Sequence, residues 1–204
     1  MDGRPRSAGS RVSAGLPDKV IKRPEASGGR AQHQKTKKSV REKCFMRRSD
    51  REISNKNEIL EVMEKCDVCR LAFNDTESGY PYILPLNFGM KTESGQVVLY
   101  FHGADAGRKY ELIAKDNRAG FEMDCGHGLV MDEESGNCAM NYESVVGRGR
   151  IEIVSGKEKE DALRALMQHY RQGDFPYNKA VVPQTTVLKL TVEEISGKRR
   201  GKQS

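Results

Sequence analysis

One segment of the sequence combines the end of an apolar run, a glycine-containing turn and two adjacent cations. It runs from Tyr100 to Lys109 and reads Tyr-Phe-His-Gly-Ala-Asp-Ala-Gly-Arg-Lys. A helix that begins directly after such a turn directs its free N–H groups toward one place. Arg108 would add a planar set of donors and Lys109 a mobile positive charge. The pattern therefore predicts a phosphate-binding turn; a solvated turn with two surface cations is the alternative.

His102 lies in the same segment and is the candidate for a proton-transfer role. An imidazole can donate or accept a proton near neutral pH, and no other side chain of this turn does so. The alternative is a histidine that only packs beside a bound cofactor and hydrogen-bonds to it.

The five cysteines give a weaker signal. Cys66 and Cys69 form a C-x-x-C pair, but twelve residues separate Cys125 from Cys138. Zinc sites usually combine two close pairs of ligands, so we predict no metal site here. An odd number of cysteines without a secretion signal favours reduced thiols in the cytoplasm, with Cys44 the most exposed of them.

Charge divides the 204-residue chain into two parts. The net charge is +6, but residues 1–45 hold 12 Lys/Arg and 4 Asp/Glu, whereas residues 46–204 hold 23 and 25. The first part is also poor in aromatic residues, and such a segment cannot bury enough apolar surface to fold. We interpret it as an artificial or mistranslated leader, a natural disordered extension, or a basic arm for nucleic acid or an anionic membrane. No apolar run approaches the ~20 residues of a membrane span.

Hydrophobic periodicity predicts three helices and six extended segments within residues 46–200. The predicted helices are Ser54–Lys65, Gly107–Lys115 and Lys157–Tyr170. The predicted strands are Val68–Phe73, Tyr80–Lys91, Gln96–Phe101, Asn117–Cys125, Cys138–Val154 and Thr185–Ile195. Pro81 and Pro85 indicate an edge strand, and Gly147 and Gly149 a bulge or a close backbone approach. Strands joined mainly by hairpins predict an α+β fold, with a six-stranded antiparallel sheet closed into a small barrel and flanked by helices.

Five motifs occur in order along residues 46–200. They are Met46-Arg47-Arg48 with Asp50-Arg51-Glu52, Tyr82 to Phe88, His102-Gly103-Ala104 with Gly107-Arg108-Lys109, Tyr142 to Gly147, and Glu193 to Arg199. In these motifs the chain resembles the pyridoxamine 5′-phosphate oxidase-like superfamily of FMN-binding split barrels. Within that superfamily it is most similar to the nitroimidazole-resistance branch, the nitroimidazole reductases.

The resemblance implies a homodimer with two FMN sites at the subunit interface. Residue roles then follow by position in the motifs. Ile83, Leu84, Pro85, Leu86 and Asn87 would line the isoalloxazine ring, and His102, Gly103 and Ala104 would continue that wall toward the ribityl chain. Gly107, Arg108 and Lys109 would hold the phosphate, and Ser144 and Val145 would close the site from a neighbouring strand or subunit. Because the superfamily often has serine where Gly107 stands, backbone N–H groups would replace one hydroxyl contact.

The activity implied by the resemblance is that of a flavoprotein oxidoreductase. FMN would take electrons from NADH or NADPH and pass them to a small organic acceptor, with a nitroimidazole or another nitroaromatic as the suggested one. A split-barrel protein that binds heme, deazaflavin or flavin without nitroreductase activity is the alternative, because these proteins use a similar barrel.

Overall fold

A computed structural model of the chain describes residues 47–171, 173 and 178–201. The predictions made for residues 1–45, including the exposed Cys44 and the nucleic-acid alternative, lie outside this range. The described residues form three α-helices and eight strands. The helices are α1 (Lys56–Lys65), α2 (Arg108–Lys115) and α3 (Gly156–Tyr170). The strands are β1 (Glu52–Ile53), β2 (Cys69–Phe73), β3 (Tyr82–Leu86), β4 (Phe88–Glu93), β5 (Gln96–Gly103), β6 (Arg118–Asp132), β7 (Asn137–Val154) and β8 (Thr186–Arg200).

All strand pairs in the sheet are antiparallel, and the order is β3-β2-β6-β7-β8-β5-β4, with β1 paired to β8. The α+β split barrel with flanking helices is thereby confirmed. Two details of the prediction were wrong. The strand count is eight, because the predicted strand Tyr80–Lys91 divides at Asn87 into β3 and β4 and the short β1 is added. The sheet is also not closed by hydrogen bonds, since within the described residues its path ends at β3 and β4.

Strand β5 is buried on both faces, which fixes where the chain emerges from the barrel. Val97, Leu99 and Phe101 belong to the main core inside the barrel, whereas Val98 and Tyr100 belong to a second cluster under α3. His102 and Gly103, the last residues of β5, are not buried and lead directly into the turn before α2. The predicted buried strand thus places the residues that follow Phe101, up to Lys109, at the surface.

Close backbone contacts hold helix α3 against β4. A Cβ atom on Gly89 would lie 2.4 Å from the backbone nitrogen of Leu166, so only glycine allows this approach. The same reasoning confirms the predicted irregularity in β7, where the register to β8 shifts between Arg148 and Gly149. A Cβ atom on Gly149 would lie 2.0 Å from the carbonyl oxygen of Thr191.

The hairpin of β6 and β7 is longer than the sequence predicts. We expected β6 to end at Cys125, but it continues to Asp132 after a register shift between Cys125 and Gly128. The added ribbon carries exposed apolar side chains, among them Leu129, Met131 and Met140.

Candidate functional site

The turn between β5 and α2 begins after Gly103 and ends at Gly107, which adopts φ +127° at the N-terminus of the helix. Because Gly107 has no side chain, no side chain caps α2. In the described part of the chain, the amide N–H groups of Arg108 and Lys109 find no acceptor. First-turn amides of this kind are the donors that bind anions at helix N-termini.

The Lys109 side chain folds back over this turn. Its Nζ lies 3.5 Å from the carbonyl oxygen of Ala106 and 4.2 Å from the centre of the Tyr110 ring. Cβ atoms on Gly103 and Gly107 would lie 3.5 and 3.8 Å from the same Nζ, in ordinary van der Waals contact, so the ammonium lies directly beside both glycines. No carboxylate of the described residues pairs with Lys109. The turn therefore offers amide donors and an uncompensated cation, a donor set that suits a phosphate ester.

The Arg108 guanidinium has a different environment from the one expected. Its Nη2 donates to Asp75 at 2.9 Å and to Glu77 at 2.7 Å, its Nε donates to Asp75 at 3.4 Å, and its Nη1 donates to Glu111 at 2.7 Å. These hydrogen bonds, that of Asp75 foremost, raise the pKa of Arg108 above its usual value. Its assignment to a phosphate stays a prediction, because carboxylates hold it here.

Sequence reasoning missed Asp75 and Glu77, which lie in the turn between β2 and β3. Asp75 Oδ1 accepts the amide N–H groups of Glu77 and Ser78, each at 3.2 Å, and its side chain is 8% exposed. The hydrogen bond from Arg108 is the main cause that lowers the Asp75 pKa. The stretch from Asp75 to Gly79 reads as an ordinary polar turn, and nothing in it indicates an arginine 33 residues away.

The wall residues predicted on β3 divide between the two faces of the sheet. Ile83 is 61% exposed and Pro85 is also exposed, whereas Leu84 and Leu86 are half-buried on the inward side. The exposed Asn87 donates through Nδ2 to the carbonyl oxygen of Asp67 at 3.4 Å.

His102 continues this outward face on β5. Phe88 pairs with Phe101, so His102 is the next residue of β5 beyond this pair, and Asn87 is the residue that precedes β4. His102 is exposed and hydrogen-bonds to none of the described side chains. Gly103 and the exposed Ala104 follow it into the turn. Ile83, Pro85, Asn87 and His102 are therefore all exposed on the outer side of the sheet, and His102 leads into the turn.

The two residues predicted on β7 are not equivalent. Ser144 is half-buried on the outward face, but Val145 is fully buried in the core, so its side chain packs inside the barrel. Three strand spacings separate β7 from β3 in the sheet, about 14 Å at ~4.8 Å each.

The cysteines form no metal site in the described part of the chain. No group of three or more Cys, His, Asp or Glu side chains is arranged there to hold a metal ion. Cys66, Cys69, Cys125 and Cys138 are free thiols, and burial raises the pKa of Cys66 and Cys69. Cys69 opens the buried strand β2, as predicted. No helix within residues 47–171 or 178–201 is long and apolar enough to cross a membrane.

Comparisons with known proteins agree with this architecture. The family described as pyridoxamine 5′-phosphate oxidase matches residues 55–199. A candidate 5-nitroimidazole antibiotic resistance protein from Bacteroides thetaiotaomicron is 30% identical, with a TM-score of 0.64 over 72% of this chain and 86% of that one. A flavocytochrome from Azotobacter vinelandii is 21% identical, with a TM-score of 0.62 over 78% and 73% of the two chains. None of the curated proteins matches.

A third solved structure shares the same fold. The FAD and heme binding protein from Mycobacterium smegmatis is 18% identical, with a TM-score of 0.62 over 74% of each chain. The family match spans most of the chain, and the antiparallel split-barrel sheet agrees with it. This chain belongs to the pyridoxamine 5′-phosphate oxidase-like family.

Proposed function

We propose that this protein binds FMN at the β5–α2 turn and is an oxidoreductase that uses NADH or NADPH to reduce a small organic acceptor, such as a nitroimidazole or another nitroaromatic. One observation carries the proposal: the free amides of Arg108 and Lys109 and the unpaired Lys109 ammonium surround a turn with no side chain at Gly107. A dianionic phosphate ester matches those donors in charge and hydrogen-bonding capacity.

The outward face beside the turn suits a planar ring. Ile83 and Pro85 supply exposed apolar contacts, and Asn87 adds an amide. Strand β3 pairs only with β2 among the described strands, so the N–H and C=O groups of its other edge are available to ring heteroatoms. FMN, when bound, supplies the hydride and electron transfer, and the protein binds and orients it.

His102 is the proposed proton donor or acceptor for the reaction. It is exposed on the same outward face and makes no hydrogen bond to the described side chains, so its ring nitrogens are available to a ligand. An imidazole in that position can pass a proton to a reduced acceptor near neutral pH. Packing beside the cofactor is the alternative role.

We also propose that the protein is a homodimer in which Ser144 contributes to the site of the other chain. The strand that carries Ser144 lies three positions from β3 along the sheet of the same chain, so we propose that Ser144 closes the flavin site of a second copy. We therefore propose two sites per dimer, each completed by the other chain. The free cysteines agree with our proposal that the protein works in the reducing cytoplasm.

The test is spectroscopic and then enzymatic. The purified protein, alone and after titration with FMN, should show a flavin spectrum and quench flavin fluorescence. NADH or NADPH oxidation should then depend on an added nitroimidazole. A Soret band in place of the flavin spectrum would support the heme alternative. Flavin binding without acceptor-dependent oxidation would contradict the reductase assignment, and no flavin binding would contradict the whole proposal.

A further inference from the structure

Arg108 has few hydrogen-bond donors left for a phosphate. A guanidinium has five N–H donors, and the three carboxylates of Asp75, Glu77 and Glu111 accept four of them here. Together with Lys115, which also pairs with Glu77, the cluster has three negative and two positive charges. If Arg108 is to contact an anion with a pair of donors, one carboxylate must leave.

Asp75 is not the carboxylate that leaves. It contacts Arg108 through both of its oxygens, while Oδ1 also accepts the amides of Glu77 and Ser78. Its side chain is 8% exposed, so it has no free conformer in solvent to move to. The turn fixes Asp75, and Asp75 in turn fixes one edge of the guanidinium.

Glu77 and Glu111 are both exposed, with side chains 58% and 61% accessible to solvent. Glu77 is the one that accepts from Nη2 of Arg108, so its departure frees the donor that a phosphate needs beside the free N–H of Nη1. The second oxygen of Glu77 is held by the exposed Lys115. Hydrogen bonds from Lys115 and then Arg108 lower its pKa, so it is ionised at neutral pH. When Glu77 leaves Arg108, the pair with Lys115 can persist, and an incoming anion meets less negative charge.

We propose that Asp75 is a positioning residue that fixes the Arg108 guanidinium, and that the phosphate of the bound flavin displaces Glu77 from it. This rests on the proposed flavin function and deepens it. Glu77 is then a competing anion that weakens binding of the phosphorylated flavin, whereas Asp75 strengthens it. Neither residue should affect the affinity for riboflavin, because riboflavin has no phosphate.

The chain contains a matched control for these two residues. Asp132 to Gly136 reads Asp-Glu-Glu-Ser-Gly, against Asp-Thr-Glu-Ser-Gly for Asp75 to Gly79. Asp132 Oδ1 likewise accepts the amides of Glu134 and Ser135, at 3.2 and 3.3 Å. This second turn closes the β6–β7 hairpin, and its aspartate has no arginine partner in the described residues.

The experiment measures dissociation constants of FMN and of riboflavin by fluorescence quenching, in the full chain and four variants. Glu77→Gln should tighten FMN binding about three- to fivefold, the size expected for loss of an exposed competing pair. Asp75→Asn should weaken it about tenfold or more, because a charged bidentate contact is lost. Asp132→Asn and Glu134→Gln should leave FMN affinity unchanged, and no variant should change that of riboflavin.

Each other outcome is decisive. FMN affinity that is unchanged or weaker in Glu77→Gln would overturn displacement, and unchanged affinity in Asp75→Asn would overturn positioning. An equal shift for riboflavin would mean that the phosphate is not involved. Because Glu77 is exposed, its variant should fold even where Asp75→Asn does not, as circular dichroism would verify. Failure of the unaltered protein to bind FMN would contradict the proposed function itself.

Discussion

The Lys109 ammonium is the positive charge closest to the β5–α2 turn, and no described carboxylate neutralises it. Replacing it with methionine keeps the length of the side chain but removes the charge. We expect Lys109→Met to weaken FMN binding about tenfold or more, the loss typical of a charge-assisted hydrogen bond, while riboflavin binding stays unchanged. Isothermal titration with both ligands measures this difference.

Lys56→Met is the matched control for that substitution. Lys56 Nζ donates to the carbonyl oxygen of Gly95 at 2.9 Å, at the start of α1 and away from the turn. The control should bind FMN as the unaltered protein does. Equal FMN affinity in both variants would remove Lys109 from the phosphate site.

Substitution of Glu143 should lower the free energy of unfolding, because Glu143 is a buried carboxylate between two cations. Arg199 Nε donates to Oε1, and Lys65 Nζ lies 3.1 Å from Oε2. Glu143→Gln would leave Arg199 with Glu58 as its remaining carboxylate partner, at 2.9 Å, and with a buried Nη2 that finds no partner in the described residues. We expect a loss of about 2 kcal/mol in the free energy of unfolding, measured by urea denaturation, because charge-assisted hydrogen bonds to a buried carboxylate are lost.

An exposed pair supplies the comparison for Glu143. Arg150 and Glu193 lie 3.0 Å apart with side chains 57% and 43% exposed. Glu193→Gln should therefore change the free energy of unfolding by no more than about 0.5 kcal/mol. Similar losses in the two glutamate variants would show that burial of the Glu143 pair does not matter.

The same carboxylate predicts a dependence of stability on pH. Burial opposes ionisation of Glu143, but hydrogen bonds from Arg199 and Lys65 outweigh it, so its pKa lies below its usual value. A group with a lowered folded-state pKa stabilises above its unfolded pKa and loses that effect as pH falls through the folded value. The stability gap between the unaltered protein and Glu143→Gln should be full at neutral pH and shrink in acid. Urea midpoints at successive pH values measure it, and a gap that widens in acid would contradict the sign.

For individual residues, the sequence predicted which ones lie at the site better than it predicted their hydrogen-bond partners. The glycines and Lys109 could be placed at one turn, because a strand end and a helix start are local signals. The partners of Arg108 could not, since they belong to a turn that the sheet topology brings near. Alternation along β7 would have separated Ser144 from the buried Val145, but the family motif names both.

Among the elements, helix α3 and strand β4 depend on a glycine contact. Gly89→Ala would drive a Cβ atom to within 2.4 Å of the Leu166 backbone nitrogen, and backbone atoms cannot move aside as a side chain end can. We expect a loss of about 2 kcal/mol in the free energy of unfolding, from overpacking. Differential scanning fluorimetry or urea denaturation would record it.

Gly128→Ala is the appropriate comparison for Gly89. Gly128 lies in strand β6, and a Cβ atom there would meet nothing within 4 Å. This substitution should change the free energy of unfolding by no more than about 0.5 kcal/mol. If both glycine variants were equally stable, α3 would not be held by this close approach.

Helix and turn signals predicted the elements well where they are local. Asn55, whose side chain accepts the amide of Asn57 at 2.9 Å, begins α1 close to the predicted position, and α2 and α3 end where their predicted helices end. The far end of β6 was missed because Gly126, His127 and Gly128 resemble a loop. The strand continues through a bulge at Gly126 and His127, and its pairing with β7 resumes at Gly128, opposite Asn141.

For the whole molecule, the proposal requires a dimer. Ser144 lies on β7, three positions from β3 along the sheet, and the proposed site takes it from a second copy. Size-exclusion chromatography with light scattering should give twice the mass of one chain, and FMN should bind with two sites per particle. A monomer that binds FMN with full affinity would contradict the role of Ser144 from a second copy.

The number of strands and their closure could not be predicted from local patterns. Tyr80 to Lys91 is one extended stretch by composition, and only tertiary pairing shows that β3 joins β2 while β4 joins β5. Closure of the barrel likewise depends on whether the terminal strands β3 and β4 hydrogen-bond to each other. Hydrophobic periodicity carries no information about that. The antiparallel α+β class itself follows from the hairpin spacing and was predictable.

The division of the chain at Asn87 makes the two unpaired edges of the sheet neighbours in sequence. In the described strands, no backbone hydrogen bond between strands has to break for these two edges to move apart. Opening between them therefore breaks fewer backbone hydrogen bonds than opening between two paired strands. Outward amides of β3 and β4 should accordingly exchange with deuterium long before those of β7 and β8. The barrel can thus open between these two edges while its core stays intact.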